Sequence, residues 1–348
     1  MSDISKIDKN FKVESKIKKP DMHLINIDSN PRFKIHGVFK QDGKYRRLPE
    51  EVAKSVNNGV LALHAHTAGG RVRFVTDSPF IAIHAVLDNP HKMSHFALTG
   101  SMGFDLYVDN VYTKTFVPPF NDETEYEGII EFGDSTPRNI TINFPLYSGV
   151  RELYIGLKDA STLTEPKPYK KDKPIVYYGS SITQGGCASR PGSSYEAIIS
   201  REFNCDYINL GFSGSAKAED TIADYIASLD MHAFVYDYDY NTDSPEHLKE
   251  THEKMFLKIR RAHPDIPIII MSAPKYYLDD VMQKRRDIIE TTYLNAVKSG
   301  DKNVYFLDGT ALMELCGNEG TVDGTHPTDF GFASMAKALG ELIADNNI

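Results

Sequence analysis

A serine follows the end of a predicted buried strand near the middle of the chain. The apolar run at residues 174–178 predicts the strand, and the sequence Gly-Ser-Ser-Ile-Thr-Gln-Gly follows at 179–185. Capping serines at 193 and 194, with helical spacing after them, predict a helix beyond this loop. This loop would lie at the carboxyl edge of an open α/β sheet, where ligands bind. At this edge Ser181 would have an exposed hydroxyl and a free backbone N–H. A nucleophilic serine needs this geometry, although such clusters after strands are commonly ordinary loops.

A second pair of residues with catalytic chemistry lies close to the C-terminus. Asp323 and His326 are three residues apart in Asp-Gly-Thr-His, just before a predicted helix. A carboxylate at this spacing can hold one imidazole nitrogen while the other nitrogen takes the proton of a serine hydroxyl. The alternative is a helix-capping Asp beside a surface His, which Pro327 and the following Thr cap make plausible for the segment alone.

Two more loops can stabilise negative charge on a substrate oxygen. The segment 209–214, Asn-Leu-Gly-Phe-Ser-Gly, follows a predicted strand, and its glycines allow a backbone N–H to be offered to an oxyanion. Asn241 follows another predicted strand, and its side-chain amide can donate a second hydrogen bond. The alternatives are a loop that starts a helix and a turn asparagine before the Ser244 cap.

The elements that must position these loops alternate between strand and helix. Five such units in succession predict a parallel sheet with helices on both faces. The predicted strands are 175–178, 207–210, 233–238, 267–271 and 304–307, and the predicted helices are 194–203, 218–229, 244–263, 280–299 and 328–345.

The first half of the chain has mostly period-two patterning, which is typical of an antiparallel β-sandwich. The strand candidates are 59–66, 70–76, 80–86, 103–108, 138–144 and 152–157, with one short helix at 49–55. The segment 164–173 is rich in Lys and Pro and predicts an inter-domain linker. We therefore predict a loosely held N-terminal arm (1–30), a β-sandwich domain (31–165) and a catalytic domain (166–348).

Composition excludes several classes of partner. The chain has 348 residues and a net charge of −9, which argues against nucleic acid or an anionic membrane as the main partner. It has no apolar run long enough to span a bilayer, and its polar, Lys-rich N-terminus is not a secretory signal. Three cysteines suit a reducing compartment, so a cytoplasmic protein is expected. The sequence leaves the oligomeric state open, and a homo-oligomer is compatible with it.

Taken together, these blocks resemble the SGNH (GDSL-type) hydrolase family over about residues 174–348. The resemblance implies Ser181 as nucleophile, Asp323 as orienting acid and His326 as base. It also implies an oxyanion hole made by the N–H groups of Ser181 and Gly214 and the amide of Asn241. Two positions depart from the family pattern: Ser180 replaces the usual Asp before the nucleophile, and the third block lacks the usual Gly-x-Asn-Asp.

The complete layout resembles two-domain bacterial carbohydrate acetylesterases, some of which are cytoplasmic enzymes that deacetylate manno-oligosaccharides. This resemblance implies an SGNH (flavodoxin-like) domain after a jelly-roll domain that helps to bind the sugar. The expected reaction is removal of O-acetyl groups from acetylated oligosaccharides through an acetyl-enzyme on Ser181, with no cofactor. A lipase or thioesterase of the same family, and a non-catalytic carbohydrate-binding protein, are the alternatives.

Residues beside the motifs are candidates for substrate contact, although each taken singly is more commonly structural. They are Cys187, Arg190, Tyr238, Tyr240 and, in a polar loop of the first domain, Ser101. The first domain also contains five histidines, 64, 66, 84, 91 and 95. No Cys or carboxylate cluster in the sequence completes a ligand set with them, so no metal site is predicted.

Overall fold

The computed structural model describes residues 17, 19–90, 92–120 and 124–348. In this part of the chain, two larger antiparallel sheets and a two-stranded one are accompanied by one parallel sheet with helices, which confirms the predicted fold class. No helix among the described residues is long and apolar enough to span a membrane. His91 and most of the predicted N-terminal arm lie outside the described residues.

The N-terminal domain is formed by antiparallel strands. These are β1 Met22–Asn26, β2 Lys34–His36, β3 Phe39–Gln41, β4 Lys44–Arg46, β5 Arg71–Thr76, β6 Phe80–Asp88, β7 Phe104–Val108, β8 Val111–Phe116, β9 Glu125–Glu131, β10 Arg138–Asn143, β11 Gly149–Lys158 and β12 Leu163–Thr164. One sheet has the order β1-β11-β6-β9, and the other has the order β12-β5-β10-β7-β8 with β2 added on β5. Alternate residues of both sheets enclose a common apolar core that includes Phe74, Ile83, Leu106 and Ile155.

Two expectations for this half are corrected. Residues 59–66 were predicted as a strand, but helix α2 (Asn58–Leu63) occupies this segment after α1 (Glu50–Val56). The side chain of Asn57 accepts a hydrogen bond from the N–H of Val60, and this cap favours a helix over an extended strand. The arm was predicted to be loosely held, but β1 pairs with β11 from Met22 to Asn26.

The second half has the predicted alternation of strands and helices. The strands are β13 Ile175–Gly179, β14 Tyr207–Gly211, β15 Ala233–Asp237, β16 Ile268–Met271 and β17 Val304–Leu307. The helices are α4 Tyr195–Phe203, α5 Asp220–Ser228, α6 Pro245–Ala262, α7 Asp280–Lys298, α8 Gly309–Leu312 and α9 Asp329–Asp345, and a further short helix in the first half is α3 Leu98–Ser101. The sheet order is β14-β13-β15-β16-β17 with all pairs parallel. The strand order therefore reverses beside β13, where an open α/β sheet binds its ligand.

Alternate residues of the parallel strands enter two separate cores. Val176 and Tyr178 pack with α5, α6 and α7 on one face, whereas Tyr177 packs with α4 and α9 on the other. Side-chain caps fix the helix starts: Ser194 begins α4 and Ser244 begins α6, where Pro245 occupies the first turn.

The two halves of the chain share their packing. Helix α1 contacts α5, and Ala53 and Val60 belong to the same apolar core as Tyr178. Arg47 is buried and donates hydrogen bonds to the backbone carbonyls of His66 and Gly211 at 2.7 Å each. The predicted linker is also anchored, because the guanidinium of Arg73 lies 4.0 Å from the ring centre of Tyr169. The predicted short helix, α1, and the unpredicted α2 therefore attach the N-terminal domain to the parallel sheet.

Candidate active site

Ser181, His326 and Asp323 form a continuous hydrogen-bonded chain. Ser181 Oγ lies 2.9 Å from His326 Nε2, and His326 Nδ1 lies 2.7 Å from Asp323 Oδ2. These are the distances at which an imidazole can take a serine proton while a carboxylate fixes its tautomer and stabilises its cationic form. The structure thus brings together the three residues that the sequence assigned to nucleophile, base and acid.

The turn after β13 is held by its own backbone. Gln184 N–H donates to the carbonyl of Ser180 at 3.0 Å, and Gly186 N–H donates to the carbonyl of Ser181 at 2.8 Å. Ser180 Oγ accepts the N–H of Ile182 at 3.1 Å, which is a hydrogen bond that an aspartate at this position could also accept. The departure at Ser180 therefore leaves a local hydrogen bond that supports the turn. A side chain at Gly179 would collide with Thr183 and with the backbone of Asp237.

Asp323 is held in place by its own loop. Its Oδ1 accepts the N–H of Thr325 at 3.0 Å and the N–H of His326 at 2.8 Å, which leaves Oδ2 for the imidazole. Partial burial acts to raise the pKa of Asp323, but the hydrogen bonds from the backbone and ring of His326 outweigh it and lower the pKa to about 2. The carboxylate is therefore ionised throughout the neutral range, as an orienting acid must be.

The predicted oxyanion donors lie in the loops that follow three adjacent parallel strands, β13, β14 and β15. No backbone carbonyl or side chain of the described residues accepts a hydrogen bond from the N–H groups of Ser181 and Gly214. Gly214 has φ +66°, the left-handed region that favours glycine. Asn241 Oδ1 accepts the N–H of Ala216 at 3.3 Å, which orients the amide and leaves its NH₂ group as the donor. These donors are therefore available for an oxyanion, as the sequence predicts.

Residues of the N-terminal domain contact the loops of the candidate site directly. Tyr147 donates to the carbonyl of Ser181 at 3.2 Å. Gln184 Oε1 accepts the N–H of Ser213 at 3.1 Å, and its Nε2 lies 3.1 Å from His66 Nδ1. Gln184 therefore joins the nucleophile turn, the loop of Gly214 and the first domain.

The loop that follows the nucleophile turn is clamped from two sides. Asp105 Oδ2 accepts the N–H of Gly192 at 2.8 Å and lies 3.2 Å from the guanidinium of Arg190. Thr99 donates to the carbonyl of Ser189 at 2.5 Å, and Ser189 N–H donates to Asp329 Oδ1 at 2.8 Å. Asp105 lies in the sequence Gly-Phe-Asp-Leu-Tyr at 103–107, where an acidic residue within an apolar strand was a signal that the sequence reasoning did not use.

The five residues predicted to contact substrate lie in different environments. Cys187 is half-buried and close to His326, and its contact with substrate stays a prediction. Tyr238 is fully buried, with its hydroxyl 2.9 Å from Thr251 in α6, and Ser101 is fully buried as well. These two side chains therefore offer no exposed surface to a sugar.

Arg190 and Tyr240 both form contacts with other residues of the protein. The guanidinium of Arg190 pairs with Asp105 and lies 3.9 Å from the ring centre of Tyr112. Tyr240 directs its hydroxyl to the carbonyl of Pro274 at 3.4 Å. Both side chains are only partly buried, so their contact with substrate stays a prediction.

The structure adds His95 to the site, which the sequence analysis named only as one of several histidines. A ligand atom of His95, the sulfur of Cys187 and a ring nitrogen of His326 all lie within 4.8 Å of one another. The ring centres of His95 and His326 are 6.0 Å apart. A loop of the first domain therefore reaches the catalytic base, a contact between residues 231 positions apart that no local pattern could reveal.

A cleft beside the Asp323–His326 loop contains two adjacent tyrosines. Its volume is about 460 Å³, and its lining includes Tyr276, Tyr277, Thr321 and Gly324. The two rings pack edge to face with centres 4.8 Å apart, and Tyr277 is 69% exposed. Lys275 Nζ donates to the carbonyl of Gly324 at 2.8 Å and ties this segment to the loop of the base. Both tyrosines follow β16, so their place at the carboxyl edge was accessible to sequence reasoning.

A buried carboxyl group lies directly beneath the nucleophile turn. Asp237 Oδ2 accepts hydrogen bonds from Thr183 Oγ1 at 2.8 Å and from the Tyr195 hydroxyl at 3.1 Å. Burial raises the pKa of Asp237 to about 7, because these hydrogen bonds only partly offset the loss of hydration.

Comparisons with known proteins agree with this architecture. Residues 172–344 match the model of the GDSL-like lipase/acylhydrolase family, and residues 23–163 match a model described as the N-terminus of Esterase_SGNH_hydro-type proteins. A comparison with curated proteins finds no significant match.

Several solved structures share the fold over nearly the full length. A protein of Bacteroides ovatus described as a GDSL-like lipase is 27% identical, with a TM-score of 0.82 over 93% of this chain and 97% of its own. The salicylyl-acyltransferase SsfX3 from a tetracycline biosynthetic pathway is 21% identical, with a TM-score of 0.77 over 95% and 99% of the two chains. A family two carbohydrate esterase from Clostridium thermocellum, in complex with cellohexaose, is 14% identical, with a TM-score of 0.61 over 93% and 99%.

The parallel sheet, the serine site and these matches define an SGNH hydrolase with an N-terminal domain, an enzyme that hydrolyses carboxylic esters. The chain belongs to the GDSL-like lipase/acylhydrolase family. The predicted family and the predicted class of enzyme are confirmed. The assignments of individual catalytic residues stay predictions that rest on the geometry above.

Proposed function

We propose that this enzyme removes O-acetyl groups from acetylated oligosaccharides, with acetylated manno-oligosaccharides as the first substrates to test. The observation that carries the proposal is the cleft of Tyr276 and Tyr277 beside the loop of the base. Tyrosine presents a flat apolar face and a polar hydroxyl, and this combination suits the apolar faces and hydroxyl groups of sugars. The carbohydrate esterases among the structures of the same fold support this substrate class.

The reaction proceeds through a covalent acetyl-serine. His326 accepts the proton of Ser181 while Oγ bonds to the acetyl carbonyl carbon, and the N–H groups of Ser181 and Gly214 with the amide of Asn241 stabilise the oxyanion. The bond from this carbon to the sugar oxygen then breaks, and His326 donates its proton to that oxygen. A water attacks the acetyl group, His326 takes the water proton and returns it to Ser181, and acetate leaves.

The substrate class is tested by measuring acetate release from acetylated manno-oligosaccharides, acetylated xylo-oligosaccharides and p-nitrophenyl esters from acetate to octanoate. Each assay includes Ser181→Ala as the blank. Faster release from one acetylated sugar, with rates that fall beyond acetate in the ester series, is the expected result. Preference for long acyl chains would instead identify a lipase or thioesterase, and transfer of the acyl group to an added alcohol in preference to water would identify an acyltransferase.

The tyrosine cleft has its own test. Tyr277→Ala should raise KM for the preferred acetylated oligosaccharide about tenfold and leave kcat/KM for p-nitrophenyl acetate unchanged, because only the sugar reaches the cleft. Leu257→Ala is the matched control, since it removes an exposed apolar side chain from α6 beside Asp265, at the opposite edge of the sheet. An equal loss on both substrates would remove the tyrosines from sugar binding.

The alternative of a non-catalytic binding protein is tested with a serine-directed phosphonate. Covalent labelling of the wild-type enzyme and its absence in Ser181→Ala are expected from the geometry of the site. An unlabelled wild-type protein that still binds oligosaccharide would favour the binding protein.

A further inference from the structure

We propose that His95, Cys187 and His326 form a binding site for Zn²⁺ that reversibly blocks the catalytic base. The inference rests on the proposed function in one respect, the role of His326 as base. The three ligand atoms of the proposed zinc site come from separate parts of the chain and lie within 4.8 Å of one another. Two imidazoles and one thiolate are a donor set that zinc prefers, and three protein ligands with an open fourth position are typical of exchangeable zinc sites.

Two of the three ligands are fixed in place without the metal. The ring of His326 is held by Asp323 at 2.7 Å, which is the carboxylate–histidine arrangement that orients imidazole ligands around zinc. Cys187 has φ +74°, a strained backbone conformation for a residue with a side chain. Its loop is held by Ala188 N–H on the carbonyl of Gly185 at 3.1 Å and by Ser189 N–H on Asp329 at 2.8 Å. The thiol therefore stays next to the base.

The third ligand can adjust to the metal. His95 is exposed and lies in a short loop closed by an antiparallel bridge between Met93 and Phe96. Zinc–nitrogen and zinc–sulfur bonds of about 2.0–2.3 Å bring ligand atoms to within about 3.5 Å of one another, so a small rotation of the His95 side chain completes the site. Asp323 places a negative charge next to the cation. Zinc displaces the thiol proton on binding, so Cys187 binds as the thiolate.

Metal binding and catalysis exclude each other at His326. One ring nitrogen of His326 contacts Ser181 and the other contacts Asp323. With Asp323 kept on Nδ1, zinc bound at Nε2 replaces the hydrogen bond to Ser181, so the ring can no longer take the serine proton. Zinc is therefore expected to act as an inhibitor. Chelators should relieve the inhibition, and substrate should compete with zinc binding.

The test measures zinc binding directly, by isothermal titration calorimetry, together with ester hydrolysis. The wild-type enzyme should bind one Zn²⁺ tightly and lose p-nitrophenyl acetate hydrolysis with the same concentration dependence, and EDTA should restore the rate. Cys187→Ser and His95→Ala should each weaken zinc binding roughly 100-fold, and inhibition is compared with each variant's own zinc-free rate. With Co²⁺ in place of Zn²⁺, a thiolate-to-metal absorption band should appear in the wild type and be absent in Cys187→Ser.

Two further variants separate the possible outcomes. His23→Ala removes another exposed histidine, which pairs with Asp159 on the N-terminal domain, and should leave zinc affinity unchanged. Ser181→Ala should keep zinc binding although it hydrolyses no ester, so a failure of the proposed function leaves the metal result readable. Absence of tight binding to an active wild-type enzyme, or equal affinity in wild type, Cys187→Ser and His95→Ala, would overturn the proposal.

Discussion

The hydroxyl of Tyr147 donates a hydrogen bond to the backbone carbonyl of Ser181 at 3.2 Å, so the N-terminal domain holds the nucleophile turn directly. The N–H of Gly186 donates to the same carbonyl at 2.8 Å. The ring of Tyr147 is fixed by Phe96, which packs edge to face with ring centres 5.1 Å apart. The position of the nucleophile therefore depends on both halves of the chain.

Tyr147→Phe should reduce kcat for p-nitrophenyl acetate about threefold to tenfold. The substitution keeps the ring and removes one hydrogen bond, whose net contribution is about 0.5–1.5 kcal/mol. Steady-state kinetics and urea unfolding of the same samples check this. Tyr154→Phe is the control, since its hydroxyl bonds Glu152 on the outer face of the first domain. An unchanged kcat with reduced stability would limit Tyr147 to a folding role.

Asp323→Asn should lower kcat roughly 10³–10⁴-fold at every pH between about 5 and 9. The amide does not replace the carboxylate oxygen that accepts the hydrogen bond from Nδ1–H of His326. The imidazole therefore loses its catalytic tautomer. The pKa of Asp323 is lowered to about 2, so the wild-type carboxylate stays ionised over this whole range and its loss should be felt at every pH within it. A pH–rate series on both proteins measures this, and a variant with more than a tenth of wild-type activity would contradict the assignment.

Asn241→Ala should lower kcat about 10²–10³-fold with little change in KM, because the amide donates to the oxyanion only as charge develops. Asn241→Asp is the informative second variant. The carboxylate can still accept the N–H of Ala216, which Asn241 Oδ1 accepts at 3.3 Å, but it cannot donate to an oxyanion. Both variants should therefore show this loss of kcat in steady-state assays, and an Asn241→Asp variant with nearly wild-type kcat would show that the residue only supports the loop.

Asp237→Asn should flatten the pH dependence of stability. The pKa of this carboxyl is raised from 3.8 to about 7, so between these values the folded state keeps a proton that the unfolded state has released. The contribution of Asp237 to stability is therefore highest below about pH 4 and falls as the pH rises to about 7, with no further loss from this group above that. Melting temperatures at pH 5 and pH 8 should differ more for the wild type than for the variant. Equal differences in the two proteins would contradict the raised pKa.

The sequence predicted the parallel sheet well because each strand is an apolar run that ends at a turn and leads to a capped helix. Ser181 and the Asp323–His326 pair were found because their chemistry is local, in blocks of a few residues at strand or helix ends. Residues 59–66 were misassigned because a short apolar run suits a strand or a helix equally well, and the asparagine cap at position 57 decides between them.

The remaining parts of the site arise from contacts between distant segments. His95 reaches His326, and Asp105 reaches Gly192, although neither pair is related by helix or strand periodicity. The sequence also placed Tyr238 at a strand end near the site, but could not show that its side chain lies fully within the helix-covered core. The orientation of a strand-end side chain depends on tertiary packing, which a single sequence does not specify.

Arg47 sets a condition for exchanging segments between relatives of this enzyme. Its guanidinium bonds the carbonyl groups of His66 and Gly211, so it spans the point at which the two halves of the chain meet. A chimera joined at residues 164–173 combines an arginine from one parent with carbonyl positions from another, and any mismatch leaves a buried cation without its acceptors. Recombination libraries should therefore take residues 47, 66 and 209–211 from a single parent.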